Sequence, residues 1–172
     1  MSKLSSFKTP FALLASCCLL SVASFAQEEN LGPVEWLHDG PFALRTEGNI
    51  RITEMEDNVR ITRGKIEVIG DKAVLEQTVD TRELVRVTVT GSPVHYKQIL
   101  DTDGEEVTGT SETLVLYEDE TSKETIIELV GSALINTPDS SINCAAIVYN
   151  AAQAIIPRST GPCGGVLTTP SN

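Results

Sequence analysis

The sequence predicts an all-β domain, a twisted, open-ended roll of antiparallel strands. Three observations predict it. Apolar and polar residues alternate in short runs, turn-forming residues punctuate those runs, and no window of the chain carries a sustained helical stripe. Many short strands at regular spacing imply a sandwich, a jelly roll or a barrel-like roll.

The first segment sets the compartment. Lys3 and Lys8 precede an apolar run from Phe11 to Val22, and Ser24-Phe25-Ala26 offers small residues at a cleavage site. That order reads as a secretory signal peptide over residues 1–26, and it places the mature protein in the periplasm. The run is shorter than the ~20 residues a membrane span needs. Retention as an anchor stays open, as does lipidation at Cys17, since Leu14-Ala15-Ser16-Cys17 resembles a lipoprotein box. The residues after Cys17 stay apolar through Phe25, which suits the middle of a signal.

Residues 27–41 read as a lead-in, with Trp36 placed to pack against one open end. From 42 to 156 the chain reads as strand after strand. Val59-Arg60-Ile61-Thr62-Arg63, Ile66-Glu67-Val68 and Val85-Arg86-Val87-Thr88-Val89 alternate with period two, the mark of one buried face. Turn signals fall at Asp57-Asn58, Arg63-Gly64, Gly70-Asp71, Gly91-Ser92-Pro93, Asp103-Gly104 and Thr137-Pro138-Asp139. Asn150 to Ala154 is the one stretch suited to a short helical turn. A weak repeat of strand, turn, strand, bend and strand begins near Asn58, Ser92 and Ser132. A glycine within a strand pattern marks a bend, so the unit is a hairpin with one bent arm. Residues 157–172, rich in Pro, Gly, Ser and Thr, read as a mobile tail.

Charge narrows the partners. The signal segment holds two of 13 basic residues and none of 24 acidic ones, so the mature chain carries a net −13. Such a surface repels phosphate backbones, which argues against nucleic acid. Cys144 and Cys163 are the even pair left after cleavage, and in an oxidising compartment they imply one disulfide. Two free thiols are the other reading. The bridge closes a loop of about 20 residues, worth ~3 kcal/mol in the chain-entropy account.

Catalytic chemistry is not legible. His38 and His95 are the two histidines, and His95 lies on the parity opposite Val94 and Tyr96, facing solvent. No Gly-x-Ser-x-Gly elbow, phosphate-binding glycine loop or metal-ligand spacing occurs. Glu54-Met55-Glu56-Asp57 and Glu118-Asp119-Glu120 read as solvated turns. The chain reads as a non-enzyme without a cofactor or metal.

The residues now carry a resemblance. Asn58 to Gly64, Ile66 to Ala73, Gly91-Ser92-Pro93-Val94 with Tyr96, Asp103-Gly104 with Val107-Thr108-Gly109, Leu129 to Ala133 and Asp139 to Ile142 follow one another as in the OstA-like domain of the LptA family. The resemblance covers about 42–156. It implies a β-jelly roll with an apolar inside and lipopolysaccharide held by its acyl chains. It also implies inner- and outer-membrane lipopolysaccharide-transport partners and head-to-tail self-association. The sequence departs from the pattern where Cys144-Ala145-Ala146 replaces the third bend, and a Cys144–Cys163 bridge stands in for the glycine.

On that resemblance the lipid-binding lining is Phe42, Leu44, Ile52, Val59, Ile61, Ile66, Val68, Val87, Val89, Tyr96, Leu114, Leu116, Leu129, Ile135, Ile147 and Tyr149. The residue pattern alone reads first as a solid core in a structural β-domain that binds no lipid. An inner-membrane-anchored component of the same fold is a further reading. Burying a 12-carbon acyl chain is worth roughly 10 kcal/mol at about 0.8 kcal/mol per methylene, so an open-ended groove that shields chains partly is expected. Segments near 42–52 and 142–156 are expected to make the edge-to-edge contact.

Overall fold

A computed structural model describes residues 32–101 and 104–168. The signal segment therefore lies outside the described residues, as do Thr102 and Asp103 of one turn. Ten strands form one antiparallel sheet: β1 Val34–Leu37, β2 Phe42–Glu47, β3 Ile50–Arg63, β4 Ile66–Thr78, β5 Leu84–Ile99, β6 Glu106–Glu118, β7 Thr125–Thr137, β8 Ser140–Asn150, β9 Ile155–Thr160 and β10 Gly164–Leu167. The order across the sheet is β1-β3-β4-β5-β6-β7-β8-β10, with β2 also on β3 and β9 also on β8.

The six strands β3 to β8 are long, and each is bent near its middle. The register shifts between Glu56 and Val59, Ile69 and Lys72, Thr90 and Val94, Thr110 and Thr113, and Val130 and Ala133. These bulges line up across the sheet and fold it into two facing leaves. The sequence supplies each bend. Asp57 and Asn58 take left-handed backbone (φ 62° and 51°), which short polar side chains tolerate. At Gly70 the neighbouring strand comes so close that a Cβ would sit 2.5 Å from Val89 Cγ1 and 2.9 Å from the Thr90 carbonyl. The bulges also reset the alternation. In β6, Val107, Gly109 and Ser111 face inward, then Leu114 and Leu116 do so after an odd step. One apolar inner face thereby continues across the bend.

Two features of the sequence reading change. Asp57-Asn58, Gly70-Asp71 and Gly91-Pro93 are bends inside strands, whereas Arg63-Gly64 and Thr137 to Asp139 are true turns. Both arms of each hairpin therefore bend. The tail read as mobile contributes two paired stretches, as β9 and β10 on β8, and the lead-in supplies β1. The short turn expected near Asn150 is present at 151–154.

The same pairing narrows the expected contact segments. Of 42–52, Phe42–Glu47 is edge strand β2, while Ile50–Ile52 lies between β2 and β4; of 142–156, β8 is flanked by β7 on one side and by β9 and β10 on the other, while 155–156 opens edge strand β9. The free edges are β1 and β2 at one end and β9 and β10 at the other. Cys144, at the bend of β8, is bonded to Cys163, between β9 and β10.

Candidate functional site

The space between the leaves is the candidate site. Val59, Ile61, Ile66, Val68, Val87, Val89, Leu114, Leu116, Leu129, Ile135, Ile147, Tyr96 and Tyr149 are buried there. Ile52, expected in the lining, is not among them: it is buried on the opposite face of β3, paired with Arg45 and Glu76, because Thr53 and Met55 take the inward parity. The leaves face each other closely. Tyr96 on one leaf meets Tyr149 on the other, edge to face, with ring centroids 6.1 Å apart. Gly109 lies on the inner face opposite Leu129, where an added Cβ would fall 3.1 Å from Leu129 Cδ1.

Phe42 and Leu44 sit apart from that buried set. They are 47% and 56% exposed on β2. Their register partners, Met55 and Thr53, are buried, and paired residues share a face. Phe42 and Leu44 therefore extend the inner surface to an uncovered end. Trp36, paired with buried Ile61 on the other leaf, stacks on Phe42 at 5.4 Å, and His38 joins them at 5.7 Å from Phe42. Rings from the two leaves thus meet at this end, with Trp36 and Phe42 still exposed. At the other end the inner parity carries Gly165 and Leu167, opposite Ile142 and Ser140. The inner face runs between two ends of unlike chemistry.

Besides buried Thr53 and Ser111, one linked polar group enters this interior. The Tyr96 hydroxyl donates to Gln98 Oε1 at 2.8 Å, and Gln98 Nε2 donates to the Ala151 carbonyl at 2.9 Å. Burial raises the Tyr96 hydroxyl well above its ordinary pKa. The Tyr149 hydroxyl, pushed up to about 12 by burial, has no hydrogen-bond partner. Gln98 went unread in the sequence. Its signal was parity, since it shares the inward phase of Val94 and Tyr96 in β5.

The free ends of the leaves, opposite the bends, meet along a seam with two recesses. One, of about 600 Å³, is bounded by Leu100, Val107, Pro138, Ala154, Ile155 and Ile156, with Glu105 and Asp139 at its rim. The other, of about 650 Å³, is polar and includes Arg63, Arg82 and Lys123 beside Glu83, Glu118 and Glu120. His95 is exposed on the outer face, and no cluster of metal-ligating side chains occurs among the described residues. No helix among the described residues is long and apolar enough to cross a membrane.

Comparison with known proteins identifies the fold's lineage. Residues 44–154 match the family described as LptA/(LptD N-terminal domain) LPS transport protein, which is more than half of the chain. The chain belongs to this family. Its fold is similar to that of LptH from Pseudomonas aeruginosa, the LptA-homologous periplasmic component of the lipopolysaccharide transport device. The TM-score is 0.63 at 16% identity, covering 83% of this chain and 99% of LptH. No individually curated protein matches the sequence. The family match spans both leaves, from β2 to the turn after β8.

Proposed function

We propose that this chain is a periplasmic lipopolysaccharide-binding protein that shields lipid A acyl chains between its leaves and bridges the inner and outer membranes. One observation carries the reading. In a family of lipopolysaccharide transport proteins, a continuous face of Val, Ile and Leu runs through the roll and ends on exposed Phe42, Leu44 and Leu167. Slender branched residues accommodate straight hydrocarbon, and the binding energy comes from burying it. The role is that of a carrier with no catalytic step.

The apolar segment Phe11 to Val22 supports export by a cleaved signal. An inner-membrane-anchored component of the same fold is the alternative, less suited by so short a run, and sequencing the mature N-terminus separates the two. Transfer runs between inner- and outer-membrane partners and along head-to-tail protomers, through the free edges β1/β2 and β9/β10.

Site-specific photo-crosslinking to lipopolysaccharide tests the reading. Probes at Tyr96 and Leu116, inside the roll, are expected to label the lipid. Probes at Arg60 and Lys72, on the outer face, are expected not to. Equal labelling from both faces, or none from the inside, sinks it.

A further inference from the structure

The interior side chains bury one another. Val59, Val89, Leu114, Leu129 and Ile135 have no exposed surface, so hydrocarbon enters only where the leaves part. The 600 Å³ recess is the place where the apolar interior reaches the seam. Its inner wall is Val107, a core residue with no exposed surface, and Leu100 and Ile156 in the same wall pack on that core. Its volume is in the range of small-ligand sites, ~300–1,000 Å³. Lys and Arg are absent from its lining, and the rim carboxylates Glu105 and Asp139 disfavour an anionic group there. The occupant that fits is a hydrocarbon chain.

A latch stands beside this recess. Gln98, near the end of β5 on one leaf, donates to the carbonyl of Ala151, in the turn between β8 and β9 on the other. This bond crosses the seam. The neighbouring side-chain bonds stay within a leaf: Asn150 and Gln153 donate to Glu124, and Lys65 to Asp101. Tyr96 holds Gln98 in place through its Oε1, and the Tyr96 ring rests on Tyr149 of the opposite leaf. Behind the latch the unpartnered Tyr149 hydroxyl waits in apolar surroundings, where an ester or amide carbonyl of an acyl lipid supplies the missing acceptor.

We infer that the recess between Leu100 and Ile156 is the lateral entrance through which an acyl chain passes into the roll, and that Gln98 is the positioning residue that latches it. The inference rests on the carrier reading and deepens it: a chain taken up from outside the roll enters sideways through the seam, while passage between protomers runs through the ends.

The test is the rate of uptake of a dansyl-labelled fatty acid by the full mature protein, followed by stopped-flow fluorescence, beside equilibrium binding of the same probe. Gln98→Glu keeps the acceptor for Tyr96 and loses the donor to Ala151. It is expected to load about three- to tenfold faster, the equivalent of one net hydrogen bond. As pH falls through the new carboxyl's titration the protonated group regains a donor, and the rate is expected to return toward wild type. A purely structural change would not follow that titration. In parallel, Ile155→Cys carrying a bulky maleimide is expected to slow loading severalfold. The same label on Leu37→Cys, at the Trp36 end, is expected to leave it unchanged. Slowing by the Leu37 label but not the Ile155 label overturns the seam and places loading at the end. Unchanged rates in Gln98→Glu at every pH overturn the latch. No uptake by the wild-type protein overturns the carrier reading itself, and the entrance with it.

Discussion

The Tyr149 hydroxyl is a costly group in the interior, since it is buried with no hydrogen-bond partner among the described residues. Tyr149→Phe removes that group and keeps the ring packed on Tyr96. The variant is expected to be about 1 kcal/mol more stable near neutral pH, measured by urea unfolding. The pH dependence has a definite sign. Burial raises the folded pKa from 10.0 to about 12, so the unfolded chain ionises first. The stability is fully present below pH 10 and falls as pH climbs toward 12, by up to about 1.4 kcal/mol per pH unit. The gap between variant and wild type should therefore widen above pH 10. A gap that is absent, or that narrows there, sinks the assignment. At this scale period two was informative: it placed Val59, Ile61, Val87, Val89, Leu114 and Leu116 inward as found. It missed Val107 and Ala133, whose phase is set by bulges that local alternation does not reveal. It also could not tell Phe42 from Val89, because both share the inner face and only the sheet's extent decides which is covered.

Among the elements, β10 has the least to hold it. It is four residues long, begins Gly164-Gly165, and lies exposed on the edge of β8. Composition therefore read it as loose, and Pro157 and Pro162 nearby reinforced that reading. Edge strands tolerate such residues, because only one side must hydrogen-bond. What composition cannot show is the tether. Cys163 directly precedes β10 and is bonded to Cys144 at the bend of β8, while the Thr168 amide donates to the Asp139 carbonyl at 2.7 Å. The bridge keeps β10 close to its partner strand even when the pairing between them opens. Replacing both cysteines with serine is expected to cost about 3 kcal/mol. Hydrogen exchange should localise the effect, with the amides of Gly164–Leu167 losing protection while β4 and β5 keep theirs. Unchanged protection in β10 would show that pairing alone holds it. The bends were harder to read for a related reason. Asp57-Asn58 and Gly91-Ser92-Pro93 carry turn chemistry, and the chain uses it to bulge a strand because the neighbouring strand continues past them.

For the whole molecule, the two-leaved roll leaves four short edge strands, two at each end, and the ends are chemically unlike. Trp36, Phe42 and Leu44 stand at one, Val166 and Leu167 at the other, all well exposed. Unlike ends that present unpaired backbone favour a head-to-tail contact, which repeats without closing. Net charge opposes it. The full chain carries −11, so protomers repel at low ionic strength, and added salt screens that repulsion over a Debye length of ~10 Å at 0.1 M. Self-association measured by light scattering is therefore expected to strengthen as salt is raised. Two substitutions then separate a head-to-tail contact from a symmetric one. Leu44→Asp spoils one end and Leu167→Asp the other. If the contact joins unlike ends, each variant alone stays monomeric, because its intact end has no partner. Their equimolar mixture forms one-to-one dimers and stops there, since each pair leaves only spoiled ends exposed. If either variant alone dimerises to the wild-type extent, the contact is between like ends. The capped dimer then isolates a single transfer step, with one intact junction between two rolls.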